Sequence, residues 1–228
     1  SARVLEAPSI KIVPAADYAP LQQAISNIDT YKWLVLTSSN GVEYFFDQLT
    51  KAGKDSRSLY GVKIAAIGSA TAKALAAHGI TADLVPSAYK AEELADALQQ
   101  NITSGDKVLI ARAKVAREVL PERLRELGAQ VDVVTAYETV TDCENKDELL
   151  ALLENGEADM ITFTSSSTVT NMLDILGDKK DLLQKTVIAA IGPVTAATCI
   201  KNGLTPAVTA AEYTIDGLMS AIQSYYKE

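Results

Sequence analysis

A duplicated block constrains this chain more than any other feature. Ile67-Gly68-Ser69-Ala70-Thr71-Ala72 matches Ile191-Gly192-Pro193-Val194-Thr195-Ala196. Gly68 and Gly192 are separated by 192 − 68 = 124 residues, and the same offset joins Gly79 to Gly203, Tyr89 to Tyr213 and Leu94 to Leu218. Thr37-Ser38-Ser39 and Thr164-Ser165-Ser166 are offset by 164 − 37 = 127, a slip that a change of loop length absorbs. A constant offset over separated landmarks marks two related structural units.

The Thr-Ser-Ser segments show what each unit is made of. Residues 33–42 read WLVLTSSNGV: an uncharged apolar run, a hydroxyl-rich turn, then apolar residues at helical spacing (Val42, Phe45, Phe46, Leu49). Residues 160–169, MITFTSSSTV, repeat the device. This is a buried strand, a tight turn and a helix start. A helix start offers unpaired N–H groups and the positive end of a dipole, so it suits an anion. Plain capping by Ser or Thr explains one such turn; two copies favour a binding role.

The same patterns run along the chain. Strands are expected at 33–37, 62–67, 82–85, 107–111, 159–163, 186–191 and 206–209. Helices are expected from an Asp17 cap to about 28, at 40–52, from Gly68 to Gly79, and at 91–100, 115–127, 146–155, 167–176, 193–202 and 215–226. Alternation of strands and helices predicts α/β units with parallel sheets flanked by helices. The runs 3–13 and 131–140 look extended and bracket the first unit. The expected organisation is a middle domain (15–130), an outer domain (1–13 with 141–228) and two linker strands (3–13 and 131–140), with a hinge and a cleft. Sites in open α/β sheets lie beyond the carboxyl ends of strands. That edge carries three polar turns per unit: Thr-Ser-Ser, Gly-x-x-Thr, and the segment around Tyr89 or Tyr213.

Composition removes several function classes. Net charge is −8 and no Lys/Arg cluster supplies a basic face, which argues against nucleic acid as a partner. Two cysteines without CxxC spacing and a single histidine argue against a metal site. No apolar stretch reaches membrane-spanning length, and SARVLEAPSIK does not read as a signal peptide, so no membrane partner and a cytoplasmic location are expected.

No nucleophile–base pair stands out, and Walker A and GxGxxG patterns are absent. His78 reads as a solvated helix-end residue. An enzyme of this composition would work by positioning its ligand and orienting dipoles. Candidate cations are Lys90, Arg112, Lys114 and Arg117; Arg112 and Lys114 follow the strand VLIA onto the ligand edge. Tyr137, in AYETV, falls at the expected mouth of the cleft. From the turns alone, a non-catalytic two-domain binding protein for a carboxylate or phosphate is the alternative to an enzyme.

Seven segments in order, LTSSNGVEYF, IAAIGSATAKAL, VPSAYKAEELADAL, VLIARAKVAREVLPERLRELGAQVDVVTAYETV, ITFTSSSTV, AAIGPVTAATC and AEYTIDGL, resemble the uroporphyrinogen-III synthase family from about Glu6 to Leu218. The resemblance implies two flavodoxin-like α/β domains joined by a two-stranded linker. It implies closure of linear hydroxymethylbilane to uroporphyrinogen III, with inversion of ring D through a spirocyclic intermediate and loss of water. It implies no cofactor and no metal, a monomer, and a substrate handed on by the preceding enzyme of the pathway. Family members usually carry a further strand, turn and helix before the segment matching RVLEAPSI, so an N-terminal strand–helix unit is expected to be missing. Carried over by motif, the substrate site takes Ser38, Ser39, Gly68, Ser69, Thr71, Ala91, Glu92 and Arg112, with Ser165, Ser166, Ser167, Gly192, Pro193 and Thr195. Tyr137 matches the linker tyrosine that assists loss of the hydroxyl, and is the catalytic candidate.

Overall fold

A computed structural model of the chain describes residues 3–86 and 91–227. It divides into two compact units, Ile12–Thr139, and Ser1–Lys11 together with Val140–Glu228.

The first unit contains β1 (Lys11–Pro14), α1 (Ala19–Ser26), β2 (Trp33–Leu36), α2 (Ser39–Lys51), β3 (Lys63–Ala66), α3 (Ser69–Ala77), α4 (Ala91–Gln99), β4 (Lys107–Ala113), α5 (Val119–Glu126) and β5 (Gln130–Val140). The sheet order is β1-β5-β4-β2-β3, and β5, β4, β2 and β3 run parallel. Its continuous apolar strands follow from burial on both faces. Leu34, Leu36, Ile64, Ala66, Leu109 and Ala111 pack with Val42, Phe45, Phe46 and Leu49 of α2 and Leu75 of α3. Their strand neighbours Trp33, Val35, Ala65, Val108 and Ile110 face the other way, onto Leu94 and Leu98 of α4 and Leu120 and Leu124 of α5. From β2 the chain first winds to β3, then returns to β4 on the opposite side. The switch point of this doubly wound sheet therefore lies between β2 and β4, at their carboxyl ends.

The second unit contains α6 (Lys146–Asn155), β6 (Met160–Phe163), α7 (Ser166–Leu176), β7 (Val187–Ala190), α8 (Pro193–Lys201), β8 (Pro206–Thr209) and α9 (Ile215–Tyr225). Its strands form a parallel sheet in the order β6-β7-β8. One face buries Phe163 and Ile188 against α6, α7 and α8. The other buries Ala189 and Val208 under Leu218 of α9. Cys143 and Cys199 are buried free thiols, and burial raises both above the ordinary thiol range.

Several elements differ from expectation. The 82–85 strand reduces to a single parallel bridge between Ala65 and Leu84. Only Lys11–Pro14 of the 3–13 run is strand, whereas 130–140 is a full strand beside β4. Tyr18, not Asp17, occupies the N-cap of α1; the Asp17 carboxylate accepts the Ala19 N–H at 2.8 Å. The Val115–Leu127 helix starts only at Val119. A 3-10 stretch over Gly177–Lys185, with Leu183 as its buried residue, had no periodic signal to announce it.

Candidate functional site

In the first unit the site grows from the turn after β2. Ser38 is extended (φ −156°, ψ 157°) and caps α2, its Oγ accepting the Gly41 N–H at 3.0 Å. That oxygen also shares a 3.0 Å hydrogen bond with the Tyr137 hydroxyl. The pair lies at the carboxyl end of β2, beside the switch point.

A β-bulge brings Tyr137 there. Arg112 is in register with Thr135 but Ala113 with Tyr137, so β5 carries one extra residue, Ala136. Upstream, Val131 and Val133 face the α4/α5 side and Val134 the α2 side. Simple alternation would send Tyr137 to the α4/α5 side; after the bulge, Ala136 and Tyr137 both join the α2 side. Tyr44 of α2 stacks on the Tyr137 ring (centroids 5.9 Å, 21°). Gly41 leaves room for both: a Cβ there would lie 3.2 Å from Ser38 Oγ, 3.4 Å from the Ala111 carbonyl oxygen and 3.9 Å from Tyr137 Cε1.

The cations on this edge are engaged. Arg112 is buried, with Nη1 donating to the Arg117 carbonyl at 2.7 Å and Nη2 to the Glu118 carboxylate. It braces the 114–118 loop. Lys114 donates to Glu138 at 3.0 Å, and the Ala16 N–H donates to the same carboxylate at 2.9 Å. Those two bonds, the backbone one first, hold Glu138 below the usual carboxylate range. Arg117 pairs with Glu92 at 2.7 Å. His78 is not simply solvated: its ring stacks on Phe46 at 4.1 Å and 7°.

The second turn of this unit is set by Gly68, which caps α3 at φ 87°, ψ 155°. Ser69 opens the helix and Thr71, at its third position, is 2% exposed. Ala91 and Glu92 open α4. Tyr89 and Lys90, candidates from the sequence, lie outside the described residues.

The second unit repeats the turns with different internal bonding. Ser165 caps α7 in a capping box with Thr168, and its Oγ shares a 2.9 Å bond with Ser167. Ser166 donates to the Val194 carbonyl at 3.4 Å and accepts from Thr198 at 2.8 Å. The Ser165–Ser167 turn is thereby tied to the Gly192-Pro193-Val194-Thr195 turn on one sheet edge. Thr195, like Thr71, is buried at the third helical position. Tyr213 packs on Gly192, and Thr214 caps α9 by accepting the Gly217 N–H at 3.0 Å. Each edge thus offers helix-end amides and hydroxyls, the equipment for holding carboxylates.

Sequence reasoning found Ser38 and Tyr137 separately but not their bond, nor the roles of Gly41 and Tyr44. The contact joins residues 99 positions apart and depends on a bulge that no local pattern announces. Among the described residues, no group of three or more His, Cys, Asp or Glu is arranged to hold a metal ion, and no helix is long and apolar enough to cross a membrane.

A family model described as uroporphyrinogen-III synthase HemD matches residues 1–220. A uroporphyrinogen-III synthase of Synechococcus elongatus is 35% identical over 233 residues, covering 100% of this chain and 88% of that protein. The porphyrin biosynthesis protein HemD of Ruminiclostridium josui is 35% identical over 97% of this chain, which spans 43% of that longer protein. The solved uroporphyrinogen-III synthetase of Helicobacter pylori shares the fold, with TM-score 0.58 and 21% identity over 95% of this chain and 91% of that one.

Proposed function

The chain belongs to the uroporphyrinogen-III synthase family, and from that premise we propose that it closes linear hydroxymethylbilane to uroporphyrinogen III, as a hydro-lyase, inverting ring D through a spirocyclic intermediate. The observation that carries this reading is the Tyr137 phenol held at 3.0 Å from Ser38 beside the switch point of the sheet. A phenol carries an O–H that can be donated as well as an oxygen that accepts.

The free bilane loses its terminal hydroxyl and closes unaided to the type I isomer, so the protein's task is to choose which ring carbon attacks. Helix-end amides and hydroxyls of Ser39, Gly68, Ser69, Ala91 and Glu92 in one unit, and of Ser165, Ser166, Ser167 and Gly192 in the other, take the acetate and propionate arms, while Pro193, which has no N–H to donate, lends only its ring to the turn. Thr71 and Thr195 shape those turns from inside, and Arg112 sets the neighbouring loop. Tyr137 donates its proton to the departing hydroxyl, which leaves as water. The substituted carbon of ring D, held nearest, attacks the freed methylene carbon first, giving the spirocycle. Rearrangement then closes the inverted ring. This is catalysis by positioning and directed hydrogen bonding. No cofactor or metal is invoked; a cytoplasmic monomer receiving its substrate from the preceding pathway enzyme completes the proposal.

The test is incubation with freshly generated hydroxymethylbilane, then oxidation and isomer analysis. Type III porphyrin in excess over the unaided reaction supports the reading. Type I alone overturns it, and tight binding without isomer change would mark a binding protein.

A further inference from the structure

Building on the synthase reading, we propose that Ser38 acts on the reaction through Tyr137 rather than on the substrate, as a positioning residue that holds and polarises the phenol. The order is Gly41 N–H to Ser38 Oγ, Ser38 O–H to Tyr137 Oη, and Tyr137 O–H outward to the leaving group.

Either hydroxyl could donate in the 3.0 Å Ser38–Tyr137 bond, and the need for a free phenol proton sets that order. A serine hydroxyl has one proton and two acceptor sites. The Gly41 N–H takes one acceptor site at 3.0 Å. Were the phenol to donate into the serine, its proton would point into the turn and be withheld from chemistry. With the serine donating, the phenol keeps its proton free, and the oxygen left behind as that proton departs is already hydrogen-bonded. The amide, hydroxyl and phenol then form one chain whose members polarise each other. It begins at the first turn of α2, whose positive dipole end favours negative charge growing on the phenol oxygen. The C–O bond breaks, water leaves with the phenol's proton, and the proton shed on ring closure returns to Tyr137; Ser38 keeps its own throughout.

Three further features fix the geometry for this task. The bulge at Ala136 turns the ring to the α2 side. Tyr44 stacks against it. Gly41 lacks the Cβ that would crowd Ser38 Oγ at 3.2 Å. A serine serving only as a cap would need none of these.

The test is a cycle of Ser38→Ala, Tyr137→Phe and the double variant, with Ser38→Thr and Ser38→Asp as controls. Thr keeps both cap and proton; Asp keeps the cap acceptor but has no proton to donate when ionised. We expect Ser38→Ala to lower kcat about tenfold with KM little changed, and Tyr137→Phe to lower it about a hundredfold, the low end for loss of a general acid. The double variant should be no slower than Tyr137→Phe, because residues acting as a unit are non-additive. Ser38→Thr should restore kcat, whereas Ser38→Asp should melt like the wild type yet stay slow. Additive losses, a KM effect alone, or wild-type turnover by Ser38→Asp overturns the proposal while leaving the synthase reading intact. Type I porphyrin alone from the wild type overturns both.

Discussion

Tyr213 packs closely against Gly192: a Cβ at that glycine would lie 2.8 Å from Cδ1 of the ring and 3.2 Å from Cγ. Gly192 itself is extended, at φ −179°, so its smallness serves the contact and not the backbone. Its repeat partner Gly68 does the reverse, with φ 87° and ψ 155° in a region open essentially to glycine alone. Two copies of one turn have kept glycine for different physical reasons.

The two glycines should therefore respond differently to alanine. Gly68→Ala forces a side chain into strained backbone and should cost about 1–3 kcal/mol. Gly192→Ala meets a ring that is 66% exposed and can swing aside, so the loss should stay below about 1 kcal/mol. Urea denaturation followed by circular dichroism measures both. Equal losses would mean that Tyr213 is held as firmly as backbone.

Gly41→Ala separates stability from turnover. The residue is helical, so alanine brings up to about 1 kcal/mol of helix propensity. The new methyl must nevertheless fit 3.2 Å from Ser38 Oγ and 3.4 Å from the Ala111 carbonyl. Denaturation should shift by less than about 1 kcal/mol either way while kcat falls severalfold, as the Ser38–Tyr137 bond is pushed out of line. Unchanged kcat would remove this turn from the reaction.

Much of the architecture was legible because burial writes itself into sequence. WLVL and VLIA are buried on both faces and carry no charge; the Lys146–Asn155 and Pro206–Thr209 elements stand where spacing put them. What failed was set by long-range contact. Residues 115–118 carry a helix-like pattern, yet Arg112 reaches out of β4 to hold this loop by the Arg117 carbonyl and Glu118, and Val115 is left 88% exposed. The orientation of Tyr137 depends on an inserted residue opposite β4, which only the paired strand reveals. Candidate site residues were therefore recognisable by type, while their partners were not.

Glu138 gives a pH dependence whose sign is fixed by its surroundings. The Ala16 N–H and Lys114 favour the ionised form and lower its pKa in the folded chain. A carboxylate so depressed adds stability above its unfolded pKa, about 4.3, and loses it as pH falls through the lower folded value. The melting temperature of Glu138→Gln should lie below wild type at pH 7, with the gap narrowing as pH falls past the unfolded value and closing only below the lowered folded one. A gap that persists in acid would show that shape, rather than charge, fixes this side chain.

Arg112 separates a brace from a substrate ligand. Its guanidinium is buried and divides its donors between a carbonyl and a carboxylate on the next loop. Lysine keeps the charge but lacks the planar fork that serves two acceptors at once. Hydrogen bonds to charged groups contribute about 1.5–3 kcal/mol each, so Arg112→Lys should lose roughly that much stability. Turnover should fall only as far as the 114–118 loop shifts, and KM for hydroxymethylbilane should change less than about threefold, well under the tenfold that one lost charged hydrogen bond of about 1.4 kcal/mol would give. Denaturation midpoints and KM, measured on the same preparation, decide between the roles. An unchanged midpoint with a tenfold rise in KM would put the guanidinium on a substrate carboxylate and require the loop to open around it.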